Sequence, residues 1–370
     1  MKQDLYGTRL YVNYSHLNYN ISYIKKQAKN VKIIAMVKAN AYGHGDIAIS
    51  RTLQALDIVD YFGVADFEEG VRLRNHDITV PIMVMNPGLN NISAIIENNL
   101  EPVIYNNSIF SKLIEYMKNT NKNLHDNVRV HIKINTGMNR WGFNSSDIPT
   151  FIKKLVGQKN ITLGSVYTHL ASAENKKDDV FTKHQINELI KAQKLFQKEF
   201  NYPINTHISN TSAFLRNFES NQLNYMRTGL LIYGGIEHKL LKPIAELKCP
   251  ILQIREIEAG DSVGYGRNFI AQSNLKIGVL PFGYADGLQR AWGNGVLKFY
   301  FQSQLVPTVG NISMDSCIVD LSAIDNISVG DDVIYFGEKR PIWDLANELD
   351  TIPYEITSTL SRRIKRVYVH

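Results

Sequence analysis

The sequence predicts an α/β protein, a (β/α)8 barrel of the TIM type followed by a mostly β C-terminal domain. Between residues 12 and 238, eight short apolar runs alternate with longer amphipathic stretches, which is the rhythm of this barrel. From about residue 239 onward, runs of period two separated by turn residues replace that alternation. The first βα turn lacks the G-x-G-x-x-G pattern that a doubly wound sheet would favour. We therefore expect one barrel domain (12–238) and one mostly β domain (1–11 plus 239–370).

The predicted barrel strands are short runs rich in apolar residues. They are Lys32–Val37, Tyr61–Ala65, Pro81–Met85, Glu101–Tyr105, Val128–Asn135, Leu163–Leu170, Asn205–Asn210 and Met226–Tyr233. The helix-like stretches between them are Asp46–Leu56, Phe67–Asn75, Asn91–Asn98, Ser108–Asn119, Asp147–Val156, Thr182–Phe200 and Ser212–Phe218. In the second domain the pattern predicts strands at Ala245–Ile257, Lys276–Leu280, Val296–Phe301 and Asp332–Phe336, and a helix at Trp343–Leu349. The strand-like run Thr8–Val12 is expected to join that domain, because a barrel needs no leading strand.

Composition narrows the class of protein. The chain has 370 residues, 44% of them hydrophobic, which is ample for a large core. Its N-terminus has no apolar signal region, and no run approaches the ~18 apolar residues of a membrane span, so we expect a cytoplasmic location without a membrane partner. Cys249 and Cys317 are the two cysteines, and the histidines lack ligand spacing, so no disulfide framework or metal site is expected. The net charge of +6 comes from lysines scattered among glutamates, which does not favour a nucleic-acid partner.

Polar and charged residues follow the predicted strands repeatedly. Lys38, Arg140, His169 and Asn210 lie at or just beyond the ends of four of them, and Arg227 lies in the eighth. Active sites of (β/α)8 barrels form at the carboxyl ends of the strands. These side chains are therefore expected to share one site.

Lys38 is the candidate nucleophile. An amine directly after a buried strand is desolvated, which lowers its pKa and favours the neutral form that reacts with a carbonyl cofactor to give a Schiff base. The turn that follows contains Asn40, Tyr42, His44 and two glycines, and suits an anion such as a phosphate.

Motifs along the whole chain resemble those of the alanine racemases. The cofactor-lysine segment is Met36-Val37-Lys38-Ala39-Asn40-Ala41-Tyr42-Gly43-His44-Gly45. Later barrel motifs are Thr136-Gly137-Met138-Asn139-Arg140, Thr168-His169, Asn210-Thr211-Ser212-Ala213 and Arg227-Thr228-Gly229-Leu230-Leu231-Ile232-Tyr233-Gly234. The second domain contributes Val263-Gly264-Tyr265-Gly266, Gly283-Tyr284-Ala285-Asp286-Gly287, Met314-Asp315 and Tyr354-Glu355-Ile356. The resemblance implies a cytoplasmic isomerase that uses pyridoxal 5'-phosphate to interconvert L- and D-alanine, supplying D-alanine for peptidoglycan.

The resemblance also assigns roles to single residues. Lys38 would carry the cofactor and act as one catalytic base, and Tyr265 would be the other, with His169 as the cationic or hydrogen-bonding neighbour that lowers the pKa of the phenol. Arg227 would face the pyridine nitrogen and, being permanently protonated, would make the ring a weaker electron sink. The other cofactor-binding residues implied are Tyr42, Asn210, Thr211, Gly229, Leu230 and Tyr354.

Substrate binding and assembly are implied in the same way. Arg140 and the backbone amide of Met314 would meet the substrate carboxylate, and Asp315 would shape the side of the pocket that a second subunit provides. Tyr265 and Met314 act in the other subunit's site in this family, which implies a homodimer. Lys133 matches a lysine that can be carbamylated in relatives. The ammonium of Lys133 would repel the Arg140 guanidinium, whereas a negatively charged carbamate on Lys133 would attract it.

The sequence departs from the family pattern at several positions. Asn135 replaces a more frequent Asp, Asn139 a Gly, Trp141 an aliphatic residue, Thr211 a Ser, Thr228 a Pro and Asn311 an Arg at the outer substrate entrance. The last of these leaves the electrostatics of the entrance open.

Three other functions remain open. A related barrel decarboxylase would have a carboxylate toward the pyridine nitrogen and a cysteine at the position of Tyr265. A non-enzymatic cofactor-binding protein would consist of the barrel alone. A racemase of serine or of a broader amino-acid range would differ only in pocket size, where Tyr354 favours a small side chain.

Overall fold

A computed structural model describes residues 7–119, 127–216 and 223–370. The chain divides into two compact units. One contains Ile21–Ala41 and Asp46–Gly229 and is called the barrel unit below. The other, called the sheet unit, contains Leu230–His370 together with Tyr42–Gly45 and the described residues up to Asn20.

The chain enters through a strand and a helix, β1 (Arg9–Asn13) and α1 (Tyr14–Ala28). The helix α1 was not among the predicted elements, because its apolar positions Leu17, Ile21 and Ile24 lie among tyrosines and asparagines. Those three side chains are fully buried. They make α1 amphipathic at the spacing of a helix.

The barrel unit is a closed ring of parallel strands, as the sequence predicts. In the described residues the ring is β2 (Lys32–Met36), β3 (Tyr61–Val64), β4 (Ile82–Val84), β5 (Glu101–Ile104), β6 (Val128–Lys133), β7 (Ile161–Tyr167), β8 (Asn205–His207) and β9 (Tyr225–Thr228). The strands are separated by a left-handed turn, α2 (Lys38–Tyr42), and by the helices α3 (Asp46–Ala55), α4 (Phe67–Arg74), α5 (Ile92–Glu97), α6 (Asn107–Asn119), α7 (Ile148–Val156), α8 (Asp179–Glu199) and α9 (Thr211–Leu215). Residues 217 and 218 of the predicted helix Ser212–Phe218 lie outside the described residues.

The last predicted barrel strand was too long. The sequence favoured one strand from Met226 to Tyr233, whereas β9 ends at Thr228 and Leu230–Tyr233 forms a short helix, α10. Gly229 separates the two. All four residues of α10 are buried, and an unbroken apolar run does not distinguish a buried strand from a buried helical turn.

The sheet unit is built on a mostly antiparallel sheet, in agreement with the predicted β domain. In the described residues its order is β11 (Gln253–Ile257), β14 (Leu275–Leu280), β17 (Cys317–Asp320), β16 (Gln304–Val309), β15 (Lys298–Phe301), β18 (Asp332–Phe336), β10 (Ala245–Pro250), β1 and β19 (Lys365–Val369). A small hairpin, β12 (Ser262–Val263) with β13 (Phe269–Ile270), and the helices α11 (Ile342–Glu348) and α12 (Pro353–Ser358) complete the unit. The predicted single strand Ala245–Ile257 was wrong, because β10 pairs with β1 and β18 whereas β11 pairs with β14.

Within the described residues, no helix is both long enough and apolar enough to cross a lipid bilayer.

Candidate active site

The segment after β2 forms a left-handed turn. Ala39, Asn40, Ala41 and Tyr42 all have positive φ, between 52° and 56°. Each L-residue in this conformation costs about 1–2 kcal/mol, so neighbouring contacts must hold the turn in place. Glu69 does so, since its two carboxylate oxygens accept hydrogen bonds from the backbone N–H of Ala39 (2.6 Å) and of Ala65 (2.7 Å). The turn that begins at Lys38 is thereby tied to the end of β3.

Gly43 continues the turn inside the sheet unit. Its φ is +87°, and a Cβ built there would lie 1.9 Å from the carbonyl oxygen of Thr357. Only glycine fits both the conformation and the close approach. The carbonyl oxygen of Gly43 accepts a hydrogen bond from Arg366 Nε at 3.0 Å.

Four cations are concentrated at the carboxyl ends of the barrel strands. Burial lowers the pKa of the Lys38 amine, and the charges of Arg140 and Arg227 lower it further, while Glu69 raises it. Burial, followed by the charges of Arg227, Arg140 and Lys38, lowers the pKa of Lys133 to about 8. The four side chains therefore repel one another in a partly desolvated space. Such an arrangement favours an anionic ligand and raises the neutral fraction of the amines.

Aromatic rings surround the Lys133 ammonium. Its Nζ lies 5.5 Å from the centroid of the Trp141 ring and 5.8 Å from that of Tyr167. Arg140 also lies over the Trp141 ring, with Cζ 5.5 Å from the centroid. Trp141 stacks in turn on Tyr105, with centroids 5.4 Å apart. One indole thus stabilises two neighbouring cations through its π face.

Arg227 is buried among hydrogen-bond acceptors. Its Nη2 contacts His169 Nδ1 at 2.8 Å and donates to the carbonyl oxygen of Thr168 at 3.0 Å, and its Nη1 contacts His207 Nδ1 at 2.6 Å. A guanidinium can only donate, so both histidines accept through Nδ1 and carry their proton on Nε2. Burial and then the Arg227 charge hold the pKa of both histidines well below the usual value. His169 is therefore a neutral imidazole whose Nε2–H is available as a hydrogen-bond donor.

The remaining predicted barrel residues lie at the start of α9 and just after β9. Asn210 is its N-cap, since its side-chain oxygen accepts from the Ala213 N–H at 3.0 Å. Thr211 follows as the first helical residue and is buried. Gly229 lies directly after β9, next to Thr228.

In the sheet unit, Tyr42 and Tyr354 lie together. Their rings are 5.7 Å apart, and Tyr42 also packs against Tyr233 at 5.1 Å. Leu230 begins the short helix that contains Tyr233. Three of the predicted cofactor-binding residues, Tyr42, Leu230 and Tyr354, thus lie in the sheet unit.

The second predicted base lies elsewhere in the sheet unit, on an exposed turn. Tyr265 is 76% exposed and lies between Gly264 and Gly266, which both have positive φ. Met314 is 53% exposed. Asp315 accepts a hydrogen bond from Arg363 Nη2 at 2.8 Å.

Comparison with known proteins identifies the family. Residues 12–237 match the alanine racemase N-terminal domain and residues 244–368 match the alanine racemase C-terminal domain. The chain belongs to the alanine racemase family.

Relatives and solved structures of the alanine racemase family match this chain almost end to end. An alanine racemase of Helicobacter pylori (strain P12) is 36% identical over 379 residues, covering 97% of this chain and 98% of that protein. Alanine racemase 1 of Caldanaerobacter subterraneus subsp. tengcongensis is 32% identical over 380 residues, covering 98% and 95%. The structure of the Clostridium difficile 630 alanine racemase superposes with a TM-score of 0.90 at 30% identity, covering 100% of this chain and 97% of that one. The Bacillus anthracis alanine racemase with bound L-Ala-P gives a TM-score of 0.89 at 26% identity, covering 99% and 96%.

Two departures from the alanine racemase pattern compensate for one another in the loop that carries Arg140. Asn139, where a Gly is usual, has a φ of 54°, a conformation that asparagine tolerates better than most residues. Asn135, where an Asp is more frequent, accepts from the N–H of Gly137 and of Asn139 and donates to the side-chain oxygens of Asn139 (2.9 Å) and Asn144 (3.1 Å). A carboxylate could not make the last two bonds, so the amide at 135 suits the asparagine at 139.

This pairing predicts the effect of restoring the usual residues. Asn135→Asp removes two donated hydrogen bonds near Arg140, so we expect the KM for alanine to rise about three- to tenfold, as for the loss of one or two hydrogen bonds. Adding Asn139→Gly removes a facing acceptor and should recover most of the loss in steady-state assays. Asn160→Asp, at an exposed position of the same unit, is the matched control. A double variant that is no better than Asn135→Asp would contradict the compensation.

Asn311, where an arginine is usual in alanine racemases, bonds to the turn that contains Tyr265. Its Nδ2 donates to the backbone oxygen of Tyr265 at 3.0 Å, and its Oδ1 accepts from Asn294 Nδ2 at 3.3 Å. The side chain fixes the turn that presents Tyr265. The usual serine hydroxyl is retained as Thr211, whereas nothing in the structure explains Thr228 in place of proline.

Sequence reasoning missed Glu69, Ser165 and the role of His207. His207 is a buried core histidine that bonds to Ser165 and Arg227, and its contact with Arg227 was not foreseen. A signal was present in β6, where the buried His131 and Lys133 occupy alternate positions and Arg129 is the one other polar residue of the strand. Alternate residues of a strand share a face, so two polar residues spaced by two inside a barrel indicate a polar interior.

Proposed function

We propose that this chain is a pyridoxal-phosphate-dependent alanine racemase that interconverts L- and D-alanine and supplies D-alanine for peptidoglycan. The observation that carries the proposal is the cluster of four cations at the carboxyl ends of the barrel strands: Lys38, Lys133, Arg140 and Arg227. A phosphorylated cofactor and a carboxylate substrate bring the negative charge that this cluster lacks. The full-length match to alanine racemases supports the same conclusion.

The residues present suit pyridoxal phosphate. Lys38 offers an amine whose pKa is lowered by burial, as a reaction with an aldehyde requires. We assign the phosphate to Tyr42, Thr211, the amides of Gly229 and Leu230, and Tyr354. Arg227 is assigned to the ring nitrogen, with Asn210 fixing the adjoining helix α9 through its N-cap bond.

Bound pyridoxal phosphate supplies a conjugated ring that withdraws electrons from the substrate α-carbon. Arg140 and the Met314 amide hold the substrate carboxylate. Lys38 accepts or returns the α-proton on one face, and Tyr265 does so on the other, because inversion requires removal and delivery on opposite faces. His169 donates a hydrogen bond from Nε2 to the Tyr265 oxygen, which stabilises the phenolate.

Arg227 limits side reactions. It is a permanent cation held by His169, His207 and a backbone carbonyl, so it has no proton-accepting capacity for the ring nitrogen. Charge withdrawal into the ring is therefore weaker than a carboxylate partner would give, which disfavours transamination and decarboxylation.

A homodimer completes the proposed site. Tyr265 and Met314 are exposed in the isolated chain, although the reaction requires them to be shielded from water. We propose that the domain formed by residues 1–11 and 239–370 contributes them to the site of a second copy, whose barrel comprises residues 12–238. The cytoplasmic location and the lack of nucleic-acid and membrane partners stay predictions.

Lys133 is proposed to be carbamylated. A pKa of about 8 leaves roughly a tenth of the amine neutral at pH 7, and that form attacks CO2, forming an N–C bond and releasing a proton to solvent. We expect protein equilibrated with ¹³C-bicarbonate to show a carbamate carbonyl signal that Lys133→Ala removes. An unmodified amine with Arg140 still ordered would overturn the proposal and leave the Trp141 and Tyr167 rings to stabilise the ammonium.

A panel of amino acids tests the function and its alternatives. We expect racemisation of alanine at least about 100-fold faster than that of serine or lysine, if Tyr354 blocks larger side chains sterically. Comparable rates would favour the broad-specificity racemase. Release of CO2 from basic amino acids would favour the decarboxylase, and binding of the cofactor without turnover would favour a non-enzymatic protein.

A further inference from the structure

A continuous hydrogen-bond chain runs through the barrel interior from Arg227 to Glu101. From Arg227 Nη1 it passes to His207 Nδ1 (2.6 Å), and from His207 Nε2 to the hydroxyl of Ser165 (3.0 Å). It continues from Ser165 to His131 Nδ1 (2.7 Å) and from His131 Nε2 to a carboxylate oxygen of Glu101 (2.7 Å). His131, Ser165 and His207 are at most 2% exposed.

The direction of the chain follows from Arg227. A guanidinium only donates, so His207 accepts at Nδ1 and donates from Nε2 to the Ser165 oxygen. Among the described residues, the Ser165 hydroxyl has two hydrogen-bond partners, His207 and His131. Having accepted from His207, it donates to His131 Nδ1, which leaves the proton of His131 on Nε2, facing Glu101. Every member then donates once toward the carboxylate.

The strands hold the five groups in this order. His131 on β6 pairs in register with Ser165 on β7, and Tyr167 on β7 pairs with His207 on β8. Tyr167 also stacks on the His207 ring with centroids 4.4 Å apart, which fixes the ring plane. A cation and an anion thus end a chain whose middle members are rigid and buried, where low dielectric strengthens each bond.

We propose that Glu101, His131 and Ser165 are positioning residues for Arg227, acting through His207 to fix the orientation of its guanidinium. The role of Arg227 in the reaction rests on the proposed function, whereas the hydrogen-bond chain from Arg227 to Glu101 does not. Because hydrogen bonds in a chain polarise one another, removing the Glu101 charge should shift the His207 Nε2–H resonance, three hydrogen bonds away.

Nuclear magnetic resonance of the histidines in the cofactor-free protein tests the chain directly. With ¹⁵N-labelled histidine, we expect both His131 and His207 to carry their proton on Nε2. Glu101→Gln keeps an acceptor but removes the charge, and Ser165→Ala removes the link. Both variants should change the chemical shift of the His207 Nε2–H proton. Ser50→Ala deletes a fully buried hydroxyl of the same unit that has no partner in the described residues, and should not.

Kinetics of the holoenzyme provide the second readout. We expect Glu101→Gln and Ser165→Ala to lower kcat about three- to tenfold, the scale of one hydrogen bond, with the KM for alanine changed less than about twofold. Transamination per turnover should rise, because Arg227 is less firmly held at the ring nitrogen. Ser50→Ala should leave kcat, KM and transamination per turnover at wild-type values.

A His207 found with its proton on Nδ1 would overturn the proposal, even if both variants fail to fold. So would a Glu101→Gln protein with wild-type His207 signals and wild-type kcat. A protein with the expected histidine signals but no racemisation would instead contradict the proposed function and still support the hydrogen-bond chain.

Discussion

Replacement of Lys38 by alanine is expected to abolish the visible absorbance of the bound cofactor and to lower racemisation at least about 10⁴-fold, the upper range for loss of a general base. Lys38 has two roles in the account, as the covalent attachment point and as the base on one face of the substrate. Its amine is suited to both because burial and the charges of Arg140 and Arg227 lower its pKa. Absorbance spectra and turnover of alanine measure the two roles separately.

Lys32→Ala is the matched control for this variant. Lys32 begins the same strand, β2, and is exposed at its opposite end. It should keep both absorbance and turnover. A Lys38→Ala protein that still binds the cofactor with a wild-type spectrum would refute the assignment of the attachment lysine.

Tyr265→Phe is expected to uncouple proton exchange from inversion. Without the phenol, Lys38 still removes and returns a proton on its own face, so one enantiomer of alanine should exchange its α-hydrogen with D2O while inversion falls about 10²–10⁴-fold. The equilibrium constant of racemisation is one, so the ratio of kcat/KM for the two enantiomers cannot show this asymmetry. Hydrogen exchange measured separately for L- and D-alanine can.

Tyr300→Phe, at a half-buried position of β15, is the control and should behave as wild type. Equal exchange from both enantiomers in Tyr265→Phe would contradict the two-base scheme. Loss of α-hydrogen exchange from both enantiomers, together with loss of inversion, would show that Tyr265 maintains the fold or the dimer instead of transferring a proton on one face.

The barrel could be predicted because its strands are short apolar runs separated by amphipathic helices, and seven of the eight predicted strands lie within about three residues of the observed ends. Lys38, Arg140 and His169 could be found because each follows such a strand, whereas Arg227 lies within β9. The helix α10 could not, since Leu230–Tyr233 is apolar throughout and period alone does not separate a strand from a buried turn.

Other features depend on contacts that a sequence does not display. Four positive φ angles after Lys38 contradict the local preferences of alanine and tyrosine, and they persist because Glu69 holds the turn from another helix. Glu101 and Arg227 are distant in sequence, and only the register of the strands brings the residues between them into one chain. Local propensity predicts elements well and such long-range polar contacts poorly.

Reduction of the cofactor-loaded protein with borohydride, followed by digestion and mass spectrometry, identifies the lysine to which the cofactor is attached. We expect a phosphopyridoxyl group on the peptide that contains Lys38 and on no other lysine. A label on Lys133, or no label on a protein saturated with the cofactor, would contradict it.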